Sequence, residues 1–327
     1  KNPPPNSNSQ NTTFDNISLL SNSNLQNYSK PWLNVEQQVA VLESRGLTVA
    51  DKQAAMSFLL HVNYYRFSGY CLAFEDQRHV LVDGTTFEEI KQTYDFDSKI
   101  RDLFTEALEL IEIDLRTTTA YSFGETYGAF GHTLSRNFHD RFDYNANHCD
   151  WLSRLNEETE RSSELFVRHF SRNYHDYPNI PIWVATEIMS FGGVSRMIAG
   201  MKKKDRKKIS TEYQLAPRVL SKLTHHFAYV RNLCAHHCRL WDRRWKVKPE
   251  LPDRAAFRSP HLISNSGLYS TVLLLEMMLS RCPAISTEAS LWKDRIISIL
   301  DHPPNCPDSI LKMDVPVNWK QHPAWSQ

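Results

Sequence analysis

Four neighbouring residues combine the side chains needed to move a proton and to bind a phosphate: Arg231, Asn232, His236 and His237. Histidine titrates near neutral pH and can transfer a proton. Arginine is permanently charged, and its planar fork matches a phosphate. The asparagine amide can orient an imidazole ring or hydrogen-bond a phosphate oxygen. RNA carries its own nucleophile, the 2′-hydroxyl, so these residue types suffice for cleaving it without a metal ion.

The two histidines leave the assignment of the proton transfers open. One histidine cannot easily perform both transfers, so either His237 assists or a second subunit supplies the second histidine. Neither proline nor glycine interrupts the chain between Arg218 and Trp241, which predicts one helix over 217–241. On such a helix Asn232 and His236 share a face, whereas adjacent histidines point about 100° apart. The alternative for either histidine is a purely structural role in the core.

The charge of the chain is concentrated in one segment. The 327 residues include 38 basic and 37 acidic ones, a net charge of +1. Residues 200–250 hold 14 Lys or Arg and only 4 Asp or Glu, a net charge of +10. Such a field is typical of phosphate binding, and the alternative is a solvated helix face. The predicted RNA-binding residues are Lys202, Lys203, Lys204, Arg206, Lys207, Lys208, Arg239, Arg243 and Arg244.

A metal site and a membrane location are both disfavoured by the sequence. Cys234, His237 and Cys238 invite a zinc hypothesis, but structural zinc sites usually draw spaced ligand pairs from two elements, and no second pair is near. We therefore expect no metal and no cofactor. The six scattered cysteines predict free thiols in a reducing cytoplasm. No apolar run approaches the ~20 residues of a membrane span.

Helical periodicity dominates the sequence and predicts an all-α fold. The clearest helix runs from about Asp97 to Tyr121, where apolar residues form a single stripe. We expect Trp241 in the core. Further helices are predicted at 150–171, 183–200, 217–241, 263–281 and 288–300. The carboxylates of the long helix are expected on its solvent face: Glu106, Glu109, Glu112 and Asp114.

Five blocks in order resemble the bacterial abortive-infection (Abi) family, in its AbiD/AbiF-like form. The string from Arg231 to Trp241 matches the R-x4-H motif of HEPN ribonucleases in the form that the Abi family carries. The other blocks, as they stand here, are Lys30-Pro31-Trp32-Leu33 with Gln38-Val39 and Arg45-Gly46-Leu47, Asn63 to Tyr70, Trp183 with Ser190-Phe191-Gly192-Gly193, and Met313 with Asn318-Trp319 and Pro323-Ala324-Trp325.

The resemblance implies a HEPN-type helical bundle with an additional N-terminal helical region. It implies a metal-independent endoribonuclease of phage defence that leaves a 2′,3′-cyclic phosphate and a 5′-hydroxyl at a site shared by two subunits. Within the motif it implies that Arg231 binds the phosphate, that His236 is the acid/base and His237 the second choice, and that Asn232 orients one of them. The alternative is an RNA-binding protein that forms a ribonucleoprotein with a small non-coding RNA, with cleavage absent or silenced.

The domain prediction divides the chain into three parts. Residues 1–30 form a flexible polar leader, residues 31–125 an N-terminal helical region, and residues 126–327 the bundle with the motif and a C-terminal extension. The last two parts can also be one continuous domain.

Overall fold

The protein is described here by a computed structural model that covers residues 27–142 and 147–325. In these residues the chain folds into α1 (Val35–Ser44), α2 (Lys52–Val62), α3 (Tyr64–Cys71), α4 (Phe87–Tyr127), α5 (His148–Arg161), α6 (Leu165–Asn173), α7 (Ile182–Ile188), α8 (Phe191–Gly200), α9 (Lys203–Glu212), α10 (Pro217–Ala235), α11 (Leu268–Leu279), α12 (Ser286–Asp301) and α13 (Ser309–Lys312). Strands β1 (Glu75–Gln77) and β2 (Val80–Leu81) form a small antiparallel pair. The all-α prediction is confirmed.

Helix α4 is the axis of the fold. Its 41 residues extend for about 60 Å. Helices α3, α7, α8, α9, α10, α11 and α12 all pack against it. The stripe from Ile100 to Leu115 that periodicity identified is buried along its length. Because α4 touches most of the other helices, its side chains determine where the motif on α10 lies.

The ends of α4 follow local capping signals. Thr86 and Glu89 form a reciprocal capping box that starts the helix ten residues before Asp97. Gly128, with φ of 73°, ends the helix, as expected for a residue in a positive-φ conformation. The predicted bounds of about 97–121 were therefore too short at both ends.

Two of the other predicted helices are broken. The predicted helix 150–171 is split between α5 and α6, and 183–200 is split between α7 and α8. The N-cap of α8 is Ser190, whose hydroxyl accepts a hydrogen bond from the Gly193 N–H at 3.2 Å. Helix α9 was not predicted, because the lysine run obscured the buried face formed by Asp205, Ile209 and Ser210.

Other predictions have mixed outcomes. Trp241 is fully buried, as expected. The predicted leader falls mainly on residues 1–26, which lie outside the described part of the chain. The division after residue 125 stays a prediction, and α4 contacts helices on both sides of it.

No helix within the described ranges is both long and apolar enough to cross a membrane.

Two buried histidines predict that acid destabilises the fold. Burial lowers the pKa of His226 to about 4 and that of His132 to about 4. Both values lie below the unfolded value of about 6.5, so the unfolded chain binds more protons between these pH values. The stabilisation is complete above pH 6.5 and is lost as the pH falls towards 4. We expect urea titrations to show a loss of about 2 kcal/mol per histidine between pH 7.5 and pH 5.

An exposed histidine supplies the control for this pH dependence. His175 is exposed and forms no ion pair or hydrogen bond with another residue of the described chain, so a His175→Gln variant should lose as much stability between these pH values as the wild type. His226→Gln should show a smaller loss between pH 7.5 and pH 5. An unfolding free energy that stays constant over this range would contradict the argument.

Candidate functional site

The motif lies at the C-terminal end of α10, in a tight turn rather than within a helix. Helix α10 ends at Ala235, His236 is its C-cap, and His237 has φ of 52°. The His237 N–H donates to the Cys234 carbonyl at 2.9 Å, and the Cys238 N–H donates to the Leu233 carbonyl at 2.8 Å. These two bonds define a Schellman motif. The predicted helix over 217–241 is therefore wrong beyond residue 235, because the chain turns at His237 without a glycine.

The turn exposes both histidines to solvent. Asn232, His236 and His237 are all exposed or partly exposed. The ring of His236 makes no hydrogen bond with another residue in the described part of the chain. His236 has φ of −91°, which is unstrained, whereas His237 occupies the left-handed region that favours glycine. The two histidines thus differ in backbone conformation as well as in the direction in which their side chains point.

Arg231 forms an ion pair with Glu112 on α4. Its side chain is 30% exposed, and its Nε lies 3.3 Å from Glu112 Oε2. That Nε is nevertheless buried without a well-aligned acceptor in the described chain, and the hydrogen bond that Arg231 makes to Glu112 is a long one of 3.5 Å from a terminal nitrogen. The contact is therefore mainly Coulombic. The other terminal N–H groups of the guanidinium make no hydrogen bond within the described chain, and the side chain is 30% exposed.

The carboxylates of α4 do not form the solvent face that the sequence predicted. Glu112 is mostly buried, with a side chain 13% exposed, and it pairs with both Arg116 and Arg231. Asp114 accepts a hydrogen bond from the Tyr213 hydroxyl at 2.6 Å. Glu106 pairs with Arg295 on α12. Only Glu109 fits the expectation, because the other three are engaged by partners more than 90 residues away in the sequence.

Two arginine side chains connect helix α3 with the motif turn through hydrogen bonds to backbone carbonyls. Arg66 on α3 donates to the backbone carbonyl of His237. Arg239, just after the turn, donates to the carbonyl of Gly69 on α3. The Arg239 guanidinium also lies 5.9 Å from the centre of the Tyr70 ring. The aromatic block from Asn63 to Tyr70 therefore positions the turn, a role that its sequence alone did not reveal.

Asp97 anchors the chain that follows the motif. This fully buried carboxylate accepts hydrogen bonds from the backbone N–H groups of Leu240, at 3.0 Å, and Trp241, at 2.7 Å. Its other oxygen accepts from the Tyr70 hydroxyl at 2.6 Å and from Arg101. Burial and the adjacent carboxylate raise the pKa of Tyr70, so the phenol stays protonated and remains a donor. Four donors thus converge on one carboxylate.

The predicted RNA-binding lysines lie away from the motif. Lys208 contacts Glu125 and Thr126, which lie near the C-terminal end of α4. Glu125 is 13 residues from Glu112, or about 20 Å along the helix. Lys203, Lys204 and Lys207 are exposed on α9, and Lys202 and Arg206 are partly buried. The lysine run on α9 and Arg231 on α10 therefore contact α4 at positions about 20 Å apart.

The three predicted RNA-binding arginines after the motif have contacts within the chain. Arg239 bonds Gly69, as described above, and the Nε of Arg243 donates to the Arg239 carbonyl at 2.6 Å. Arg244 pairs with Asp314, although its side chain remains 60% exposed. Of these three, Arg244 is the one with the most surface left for a ligand.

The cysteines near the turn do not form a metal site with other residues of the described chain. All six cysteines are free. Burial raises the pKa of Cys234 to about 12, so this thiol stays protonated at neutral pH. Within residues 27–142 and 147–325, no three His, Cys, Asp or Glu side chains are grouped so that they could hold a metal ion.

The strained backbone of His237 gives a test of the turn. Because only glycine adopts the left-handed conformation without strain, His237→Gly should be more stable than His237→Ala by about 1 kcal/mol. Two residues earlier, inside the helix, the order should reverse, and Ala235→Gly should lose roughly 0.5–1 kcal/mol. Urea unfolding of the three variants measures both differences. Equal stability of His237→Gly and His237→Ala would argue against the turn.

Comparison with known families identifies the family described as Abi-like protein, which matches residues 57–242. This region covers more than half of the chain. It begins within α2 and ends directly after Trp241, so it includes α3, α4, the motif turn and Asp97. No curated protein and no solved structure matches the chain.

Proposed function

The chain belongs to the Abi-like protein family, and from this premise we propose that it is an endoribonuclease that cleaves RNA without a metal ion. One observation carries the proposal. The partly exposed Arg231 and the exposed His236 and His237 lie at the same end of α10, and His237 lines an open cleft. This arrangement places a cation that can bind a phosphate and side chains that can transfer a proton at one end of the same helix.

The cleavage step uses the 2′-hydroxyl of RNA as the nucleophile. One histidine takes the 2′-hydroxyl proton while the oxygen attacks phosphorus, and a second histidine gives a proton to the leaving 5′-oxygen. The P–O5′ bond breaks, which leaves a 2′,3′-cyclic phosphate and a 5′-hydroxyl. Arg231 neutralises the charge that develops on the phosphate oxygens. His236 is the main acid/base, because its ring is exposed and carries no competing bond within the described chain.

The second histidine comes from a second subunit in this proposal. A homodimer that brings two α10 ends together would contribute one Arg231 and one His236 from each chain. The exposure of His236 leaves this end of α10 available for such a contact. The family resemblance supports the dimer, and it also supports a role in phage defence through abortive infection.

A cleavage assay in EDTA tests the proposal. Labelled single-stranded RNA is incubated with the wild type, with His236→Ala and with His225→Ala, which changes an exposed histidine on the same helix. We expect cleavage with cyclic-phosphate ends from the wild type and from His225→Ala, and a loss of at least about 100-fold in His236→Ala. Cleavage that needs a divalent metal, or that survives in His236→Ala, would reject the mechanism.

The position of α9 favours a second function, RNA binding without cleavage. Lys203, Lys204 and Lys207 are exposed about 20 Å along α4 from Glu112, so RNA can bind there without reaching Arg231. In that case the protein should co-purify with a discrete RNA. Replacing these lysines with alanine should release the RNA, whereas His236→Ala should not.

A further inference from the structure

One face of α10 reaches the surface along the whole length of the helix and ends at the motif. At about 100° per residue, six residues lie within about 40° of one line along the helix. These are Arg218, Lys222, His225, Tyr229, Asn232 and His236. All of them are exposed except Tyr229, which is partly exposed. Since α10 contains no Asp or Glu, this face carries no negative charge of its own.

A segment that follows the motif, residues 245–250, runs beside this face in the opposite direction. The backbone N–H of Lys246 donates to the Tyr229 hydroxyl at 3.4 Å. Further along the segment, Glu250 Oε2 lies 2.8 Å from the Nε of Arg218, at the start of α10. Because the later residue of the segment contacts the earlier residue of the helix, the two elements are antiparallel.

The segment adds positive charge to this surface. Trp245 is buried, whereas Lys246 and Lys248 are exposed, because side chains alternate between the core and solvent along the segment. Neither of the two ammonium groups forms an ion pair or a hydrogen bond with another residue of the described chain. The only carboxylate in the segment is that of Glu250, and it is engaged by Arg218.

We call Lys222, Tyr229, Lys246 and Lys248 the cationic track. Its charge disfavours contact with the same face of a second copy, because like charges would then face each other. An acidic protein would match the lysines but would make no specific use of the tyrosine ring. Single-stranded RNA matches both features, since its phosphates bind cations and its unpaired bases stack on aromatic rings.

We infer that the cationic track binds single-stranded RNA and leads it to the motif; the inference rests on the proposed RNA cleavage. The three lysines contact phosphates, and a base stacks on Tyr229, about 10 Å along α10 from His236. The ion pair between Arg218 and Glu250 lies at the end of the track away from the motif. The track raises the affinity for RNA and takes no part in bond breaking. Its loss therefore raises the RNA concentration needed for cleavage but does not slow the saturated complex.

Binding of a labelled single-stranded 2′-O-methyl RNA to the full chain tests the inference. The methyl group blocks the nucleophile, so fluorescence anisotropy in EDTA measures affinity without cleavage. The track variant carries Lys222→Ala, Lys246→Ala and Lys248→Ala. The control variant removes the same charge from three exposed lysines outside the track, namely Lys52, Lys99 and Lys320.

The track variant should bind this RNA about tenfold more weakly or worse at low salt. The slope of log affinity against log salt should become shallower by about 2, or roughly 0.7 for each of three phosphate contacts. The control variant should keep the affinity and the slope of the wild type.

The tyrosine gives a second measurement that does not depend on charge. Tyr229→Leu removes the ring and should weaken binding by about fivefold or more without changing the salt slope. Tyr229→Phe keeps the ring and should bind like the wild type. A duplex of the same sequence should bind more weakly than the single strand, because its bases are already paired and stacked.

Several outcomes would overturn the inference. These are no binding of the RNA, equal affinity of the track and control variants, equal affinity of Tyr229→Leu and Tyr229→Phe, duplex binding as tight as that of the single strand, and competition by polyglutamate as strong as that by RNA. The proposed cleavage fails separately. Binding that depends on the track in a chain that cuts no RNA would reject the nuclease and keep the track. Cleavage that depends on His236 but binds RNA equally well in the track variant would do the reverse.

Discussion

Replacing Arg231 with alanine should lower the rate of RNA cleavage by about 100-fold or more while leaving the fold intact. The charge that develops on the phosphate in the transition state loses its neutralising cation, and removing one such group typically has an effect of this size. The fold should persist because Glu112 keeps its second partner, Arg116, which also bonds the carbonyls of Thr186 and Glu187 at 2.7 and 2.8 Å. Single-turnover cleavage of a labelled RNA measures the rate, and thermal unfolding measures the stability.

Two further substitutions make this result specific. Arg231→Lys keeps the charge but loses the planar fork, so its rate should fall between those of the wild type and Arg231→Ala. Arg218→Ala removes an arginine from the first turn of the same helix, where the side chain is 80% exposed, and should cleave as fast as the wild type. If Arg231→Ala cut RNA at the rate of Arg218→Ala, Arg231 would have no part in the reaction.

Apolar periodicity predicted the positions of most helices, whereas their ends depend on capping residues. The stripe from Ile100 to Leu115 identified α4, because a buried helix needs an apolar face. The signal for its true start, Thr86 followed by Glu89, was present in the sequence and could have been used. The end of α10 could not be predicted in this way. His237 adopts a left-handed backbone conformation that is usually occupied by glycine, and no residue type in the neighbouring sequence predicts it.

The candidate motif residues could be named from the sequence, whereas the residues that contact them could not. Residue types and spacing made Arg231, Asn232 and the two histidines candidates, and the resemblance to the R-x4-H motif favoured His236 over His237. Glu112 was expected in solvent, because an acidic residue on a helix is usually solvated. Its contact with Arg231 joins residues 119 positions apart, and Asp97 and Trp241 are 144 positions apart. Such long-range pairs leave no trace in a single sequence.

Replacing Asp97 should have the largest effect on stability. Asp97→Asn should lower the free energy of unfolding by about 3–5 kcal/mol, because Arg101, with a side chain only 7% exposed, then becomes a buried charge without a counterion. The asparagine amide would also place donors against the donors of Arg101 and Tyr70. Urea titration measures the loss. Asp95→Asn is the matched control, since Asp95 pairs with Lys91 in the same i,i+4 arrangement on α4 but with a side chain that is 44% exposed, and it should lose less than about 0.5 kcal/mol.

Variants at Asp97 also test whether the buried carboxylate holds the motif turn in place. Asparagine keeps one oxygen that can accept from the Leu240 and Trp241 N–H groups, whereas alanine keeps none, so Asp97→Ala should be less stable than Asp97→Asn. Combining Asp97→Asn with Arg101→Met removes the unpaired charge and should restore part of the stability. A loss of less than about 1 kcal/mol in Asp97→Asn would contradict this account. Leu240 follows His236 by only four residues, so the hydrogen bonds to Asp97 hold the motif turn against α4. Asp97→Ala removes these bonds. We therefore expect the folded fraction of Asp97→Ala to cleave RNA more slowly than the wild type.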